Sequence, residues 1–189
     1  MKLKIKIDTA PVKAYLKNTE SRIKRGLPTL VNRTAQAIKS DISGGIQQGV
    51  DIKGKPFTPL SSSTIQGKRI RSYKFPRRAL FATGTMQNVY LAEKATLSKF
   101  KARLIMPISR QKVGVYHNEG TGPYTITPKS GNKRGVLGPL YSSRGEKYFT
   151  KKVHHPGLPK REWFGISERV KQVIFRLQRQ FFSNILRSE

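Results

Sequence analysis

Histidine and carboxylate side chains are the groups in this chain best suited to hold a metal or move a proton, and they are few. The sequence contains three histidines, ten acidic residues and no cysteine. His117 with Glu119, and the neighbours His154 and His155, are the only beginnings of a cluster. A metal-dependent nuclease needs two or three such ligands on one ion, and neighbours on an extended segment point to opposite faces. The sequence therefore predicts no catalytic, metal or cofactor site.

Sequence motifs of the common enzyme classes are also missing. The chain contains no phosphate-binding G-x-x-x-x-G-K-[ST] loop, no G-x-S-x-G nucleophile turn and no dinucleotide fingerprint. We therefore expect a protein that is not an enzyme, and we interpret the three histidines as structural or solvent-exposed.

Positive charge is the dominant feature of the composition. The 189 residues include 38 Lys and Arg against 10 Asp and Glu, for a net charge of +28. The basic residues are spread evenly along the chain, so they do not form a detachable tail. Repulsion among so many positive charges destabilises an isolated monomer. The composition therefore predicts an anionic partner or a large assembly.

The densest basic run also contains two aromatic residues, Tyr73 and Phe75. Basic side chains interleaved with aromatic rings can grip a phosphate backbone and stack on bases. The alternative is a solvated loop beside aromatics that anchor it to the core. The basic residues of this run are Lys68, Arg69, Arg71, Lys74, Arg77 and Arg78.

Periodicity predicts two helices near the N-terminus. Residues 1–7 alternate Lys with apolar residues, which predicts a strand and not a secretory signal. We expect a first helix from about residue 11 and a second one that begins at Pro28. The second carries an amphipathic stripe that faces a core. Its members are Val31, Ala35, Ile38, Ile42 and Ile46.

The middle of the chain reads as a long loop followed by a hairpin. Several Pro and Gly residues predict irregular structure over about 50–78, and Gly84 predicts a positive backbone angle before a short helical turn. Residues 88–93 and 100–108 read as two paired strands. Their candidate core residues are Tyr90, Leu91, Phe100, Leu104 and Ile105. No segment approaches the roughly 18 consecutive apolar residues of a membrane span.

Residues 122–157, which we call the arm, are rich in Gly, Pro and basic residues. We predict a protruding hairpin with its tip at 130–144, whose basic residues Lys129, Lys133, Arg134 and Arg144 face a partner. An inert surface insertion is the alternative. Pro156-Gly157 then predicts a turn toward a terminal helix capped by Ser167. That helix's predicted buried stripe is Val170, Val173, Ile174, Leu177, Phe181, Ile185 and Leu186.

The aromatic residues near these motifs have two interpretations. Phe57 between two prolines, and Trp163 and Phe164 before the terminal helix, can anchor the core or an intersubunit contact. Tyr116 is predicted to be buried ahead of a turn at Gly120. Arg161 can pair with a carboxylate of a neighbouring copy or remain solvated.

Five short segments occur in an order that is typical of one protein family. They are Gly54-Lys55-Pro56-Phe57-Thr58-Pro59-Leu60-Ser61; Leu80 with Thr83-Gly84-Thr85-Met86; Val115-Tyr116-His117-Asn118-Glu119-Gly120; Val153-His154-His155-Pro156-Gly157; and Pro159-Lys160-Arg161-Glu162-Trp163-Phe164-Gly165-Ile166-Ser167. This order resembles the tail-completion, or virion morphogenesis, proteins of long-tailed bacteriophages, which are akin to tail-to-head joining and minor tail proteins. The resemblance covers about residue 28 to the C-terminus.

The resemblance implies a structural subunit of the phage neck or tail end, made in the host cytoplasm. It implies a homo-oligomeric ring of six copies that joins or seals the tail to the DNA-filled head. Its neighbours would be head connector or adaptor proteins, tail tube or terminator proteins, and packaged DNA in the lumen. The expected fold is a single α+β domain with an antiparallel sheet packed against the N-terminal helices and the long C-terminal helix. A basic nucleic-acid-binding protein is the alternative function.

Overall fold

The computed structural model describes residues 9–130 and 135–187. Within these ranges the chain is α+β, as predicted, with four helices and six short strands. The helices are α1 (Ala10–Gln48), α2 (Ser62–Ile70), α3 (Ile108–Glu119) and α4 (Glu168–Arg187). The strands are β1 (Tyr90–Glu93), β2 (Arg103–Ile105), β3 (Tyr124–Ile126), β4 (Leu137–Tyr141), β5 (Lys147–Thr150) and β6 (Val153–His155). The strand predicted at residues 1–7 lies outside the described residues.

Helix α1 is one continuous helix, so the predicted break at Pro28 is wrong. Pro28 lies inside the helix, where it cannot donate to the carbonyl four residues earlier. Helix α1 contacts α4 on both sides of Pro28, through Arg22 before it and Asp41 after it, and this packing outweighs the local preference of proline for a helix start. The predicted stripe is confirmed at Ala35, Ile42 and Ile46, which are buried. No helix in the described ranges is long and apolar enough to cross a bilayer.

Helix α4 runs antiparallel to α1. Near its start, Arg169 Nε donates to Asp41 Oδ1 at 3.0 Å, and near its end the carbonyl of Asn184 accepts from Arg22 at 3.3 Å. The predicted cap is confirmed, because the Val170 N–H donates to the buried Ser167 Oγ at 3.1 Å. Asn184 lies beside Arg22 and α4 continues for three more residues, so about nine residues at the start of α1 extend past α4, or about 13 Å at 1.5 Å per residue.

Burial of the α4 stripe is confirmed only in part. Val170 and Ile185 are buried, but Val173 and Leu186 are exposed. They lie at the edges of the contact with α1, and a single partner helix covers only a narrow face of α4.

The core lies between the C-terminal half of α1 and the chain that follows it. Its buried members are Ile42, Ile46, Phe57, Ala79, Met86, Val89, Met106 and Trp163. The predicted hairpin of β1 and β2 is confirmed as an antiparallel pair. The prediction that Tyr90 and Phe100 are core residues is wrong, since both are exposed. Leu91, Leu104 and Ile105 are half-buried.

Two helices, α2 and α3, occupy segments where no helix was predicted. Helix α2 lies within the loop predicted over 50–78, and its N-cap is Ser61, whose Oγ accepts from the Thr64 N–H. Helix α3 precedes Gly120. As predicted, Gly84 has a positive φ, +79°, and it leads directly into a 3-10 turn at Thr85–Gln87.

The arm contains two nested hairpins. Strand β3 pairs with β6, with Tyr124 opposite His155, and β4 pairs with β5. The described strands thus form three separate two-stranded sheets, not the single sheet that was expected. The inner hairpin lies against α2: a Cβ added at Gly145 would meet Gln66 Nε2 at 2.8 Å. The described part of the arm therefore folds back onto the body, which corrects the prediction of a freely protruding hairpin.

Candidate interaction surface

Helix α2 determines which side chains of the basic run face outward. Arg69, Arg71, Lys74, Arg77 and Arg78 are exposed. Lys68 is only 8% exposed, and its Nζ donates to the carbonyls of Arg78 at 2.6 Å and Phe81 at 2.9 Å. Burial lowers the pKa of Lys68. The prediction that Lys68 faces a partner is therefore wrong, and it instead ties α2 to the loop that follows.

Phe75, one of the two aromatic residues of the basic run, packs against cations of the same run. The Arg78 guanidinium lies 4.3 Å from the centre of the Phe75 ring, and Lys74 Nζ lies 5.5 Å from it. Phe75 also meets Phe81 edge-on at 5.2 Å. Because these groups already cover the Phe75 ring, it offers little free surface for base stacking.

The inner hairpin of the arm extends this basic surface. A cleft between α2 and the hairpin is lined by Arg69, Arg77 and Ser143, and Arg144 follows directly and is exposed. Lys129 is exposed at the end of the outer hairpin, after β3. Lys133 and Arg134 lie outside the described residues. We give the name basic face to six of the exposed cations of α2, its following loop and the inner hairpin: Arg69, Arg71, Lys74, Arg77, Arg78 and Arg144.

Most of the predicted interface aromatics are core residues of this chain. Trp163 is 2% exposed, and its Nε1 donates to the Gly114 carbonyl at 3.2 Å. Phe57 is also buried, and Phe164 is half-buried against the same cluster. Tyr116 is 42% exposed, so its predicted burial is wrong. The reason is helix α3, which turns Gly114 inward and Tyr116 outward.

Arg161 is buried within the chain, so both earlier interpretations of it are wrong. Its Nε and one terminal nitrogen donate to the Thr58 carbonyl at 3.3 and 3.0 Å. Its backbone N–H also donates to the His117 carbonyl at 2.8 Å. Burial lowers the pKa of Arg161. The residue joins the segment after Phe57 to the end of α3.

His117 lies in the same region with a buried Nδ1 that has no hydrogen-bond partner among the described residues. Burial, and secondarily the nearby Arg161 charge, lower the pKa of His117. Glu119 is exposed. Among residues 9–130 and 135–187, no three His, Asp or Glu side chains come together as ligands for a metal.

Carboxylates in the described ranges are mostly bound by cations of the same chain. Hydrogen bonds from Lys160 and Lys53 lower the pKa of Glu162. The other ion pairs include Glu20–Lys24, Asp41–Arg169, Glu93–Lys99 and Glu168–Lys171. The few carboxylates thus neutralise neighbouring Lys and Arg side chains, and most basic side chains have no carboxylate of the same chain to neutralise them.

A groove between α1 and α4 was not predicted from the sequence. It has a volume of about 740 Å³. Its α1 side carries Arg22, Arg25 and Arg33, and its α4 side carries Phe181. The signal for it was present: Arg22, Arg25, Thr29 and Arg33 recur at spacings of 3 and 4, which place them along one side of a helix.

Comparison of the chain with protein-family profiles, with curated proteins and with solved structures finds no match in any of the three.

Proposed function

We propose that the chain is a structural virion protein of a phage neck or tail end. In this role it forms a ring, of six copies, that joins or seals the tail to the DNA-filled head. The five ordered segments described above support the family. The observation that carries the proposal is the apolar surface that the two long helices leave uncovered.

That uncovered surface lies on two stretches of helix. At the overhanging start of α1, Val12, Tyr15 and Leu16 are exposed, the last at 59%. On α4, Phe175, Phe182 and Leu186 are exposed, and their spacings of 7 and 4 place them on one face. Contiguous exposed apolar residues on a protein mark contact sites for other proteins. Two apolar stretches on one subunit suit heterologous contacts, in which one stretch of a subunit meets the other stretch of the next copy, and such contacts close a ring.

The net charge fits a subunit held between other proteins. Copies carrying +28 each repel one another, and salt or acidic neighbours must screen this repulsion. The basic face then faces an acidic surface of a connector, adaptor, tail tube or terminator protein, and packaged DNA in the lumen supplies further anions. Phe57, Trp163 and Phe164 act as anchors of the subunit core in this arrangement.

The ring is tested by the mass of the purified, nucleic-acid-free chain. We expect light scattering at about 0.15 M salt to give one discrete oligomer, and Leu16→Glu or Phe182→Glu to convert it to monomer with unchanged helix content. Leu97→Glu is the matched control, because Leu97 is 64% exposed on a different part of the chain. A wild-type chain that stays monomeric at micromolar concentration would contradict the ring.

A basic nucleic-acid-binding protein is the second candidate, and the basic face favours it. If it binds DNA there, replacing Arg71 and Arg77 with Glu reduces the slope of log K against log salt by about 2, one for each lost phosphate contact. Lys13→Glu with Lys17→Glu is the charge-matched control on α1. Equal slopes in the two double variants would exclude the basic face as a DNA site.

A further inference from the structure

The groove between α1 and α4 has an apolar floor. Leu30, Leu177 and Phe181 are half-buried along it, and Ile185 is buried. The two helices are close at this point, since a Cβ at Gly26 would meet Phe181 Cε2 at 2.6 Å. Two helices bury only one seam, so the side chains beside that seam remain half-exposed. A third helix laid in the groove would cover them.

The rim of the groove is basic and polar. Arg25 and Arg33 are exposed on the α1 side, with Thr29 between them. No described carboxylate forms an ion pair with either arginine, and Glu20 on the same helix is bound to Lys24 at 2.6 Å. On the α4 side the rim is formed by Gln180 and Asn184. The rim therefore selects a negatively charged occupant.

The combination of floor and rim narrows the class of that occupant. A nucleic-acid backbone would satisfy the arginines but would leave the leucine and phenylalanine floor without an apolar partner. A second copy of this chain could offer only long helices that are themselves basic, since α1 has two acidic residues against seven Lys and Arg, and α4 has one against five; neither complements an already basic rim. An amphipathic helix with one apolar stripe and acidic flanks satisfies both parts of the groove.

We infer that the groove binds an acidic amphipathic helical segment of a partner protein. From Arg22 to Arg33 the groove runs for about 16 Å, at 1.5 Å per residue, which is three helical turns. The inference deepens the proposed function by naming the chemistry of one assembly partner. Its test uses the purified chain and peptides, so its failure would leave the ring and the joining role unaffected.

The experiment measures fluorescence anisotropy of a labelled peptide of about 18 residues, long enough to form helix. The peptide has Leu at spacings of 3 and 4 and Glu on the flanks. We expect it to bind at least about tenfold, or 1.4 kcal/mol, more tightly than a scrambled peptide of the same composition and than a peptide with Gln in place of Glu. The scrambled peptide measures binding that depends only on the net charge of the peptide. The Gln peptide measures binding that depends only on contact with the apolar floor.

Three variants locate the binding. Thr29→Trp fills the groove without changing its charge, and Arg25→Glu with Arg33→Glu reverses the rim; each should weaken binding of the patterned peptide at least about tenfold. Arg176→Glu with Arg179→Glu reverses two exposed charges of α4 outside the groove and should leave binding nearly unchanged. Circular dichroism and light scattering confirm that the variants keep wild-type helix content and mass.

Several outcomes would overturn the inference. They are equal binding of patterned and scrambled peptides, equal weakening by the control pair, or no effect of Thr29→Trp. A DNA duplex that competes with the peptide and is itself weakened by Thr29→Trp would assign the groove to nucleic acid. A change of mass in Thr29→Trp, with peptide binding intact, would assign it to a second copy of the chain.

Discussion

Replacing Trp163 with Ala is expected to lower the free energy of unfolding by about 3–5 kcal/mol, the usual cost of removing a large buried aromatic side chain. The indole is 2% exposed and lies in the cluster that joins α1, the 3-10 turn and the segment before α4. Its truncation leaves a cavity there and removes the donor to the Gly114 carbonyl. Since small domains are stable by only about 5–15 kcal/mol, the variant loses much of its stability.

Urea unfolding followed by far-ultraviolet circular dichroism measures this loss, because the variant has no other tryptophan to report fluorescence. Leu97→Ala is the control: Leu97 is 64% exposed and lies outside the proposed subunit contact, so the change should stay within about 0.5 kcal/mol. If Trp163→Ala and Leu97→Ala shift the midpoint equally, Trp163 is not the core anchor described above. Phe164→Leu, at a half-buried position beside it, should fall between the two.

Replacing Lys68 with Met is expected to cost about 2 kcal/mol of stability, although replacing a lysine on the surface ordinarily changes stability very little. Methionine keeps the length of the stem but removes the donor to the carbonyls of Arg78 and Phe81. Those carbonyls then lose their partner in a partly buried site. The cost is smaller than that of two full hydrogen bonds, because burial already opposes the charge of Lys68 and lowers its pKa.

Arg69→Met is the matched control, one residue along the same helix and exposed. We expect it to leave the midpoint of urea unfolding unchanged while Lys68→Met lowers it with the same denaturant slope. Equal midpoints for the two variants would mean that the Lys68 hydrogen bonds contribute no net stability. The same two variants separate effects on stability from effects on partner binding, because Arg69 belongs to the basic face and Lys68 does not.

Helical periodicity predicted the parts of the fold that pack through a regular stripe. The stripe of Ala35, Ile42 and Ile46 and the cap at Ser167 are local patterns, and the structure has both. The outward orientation of Tyr116 depends on helix α3, whose sequence has weak amphipathic spacing. Pro28 favours a helix start locally, but packing against α4 outweighs that preference.

The candidate site was predicted less well because charge alone does not report burial. Lys68 and Arg161 look like surface cations in the sequence, yet each donates to backbone carbonyls that only the tertiary fold brings within reach. The α1–α4 groove depends on the antiparallel pairing of residues more than 140 positions apart along the chain, as in Arg22 with Asn184. No local pattern specifies such a pairing.

The start of α1 that extends past α4 is expected to unfold locally, whereas the rest of this helix unfolds only together with the core. Its start has no side-chain cap at Thr9 and no acidic residue in the first turn, and Pro28 interrupts the hydrogen-bond ladder further along. A helical segment as short as this overhang is only marginally stable in water on its own. We therefore expect its backbone amides to exchange with solvent by local fraying. The amides around the buried Ile42 and Ile46 should exchange only when the core opens. A thermal transition followed through the Trp163 environment therefore reports the core alone.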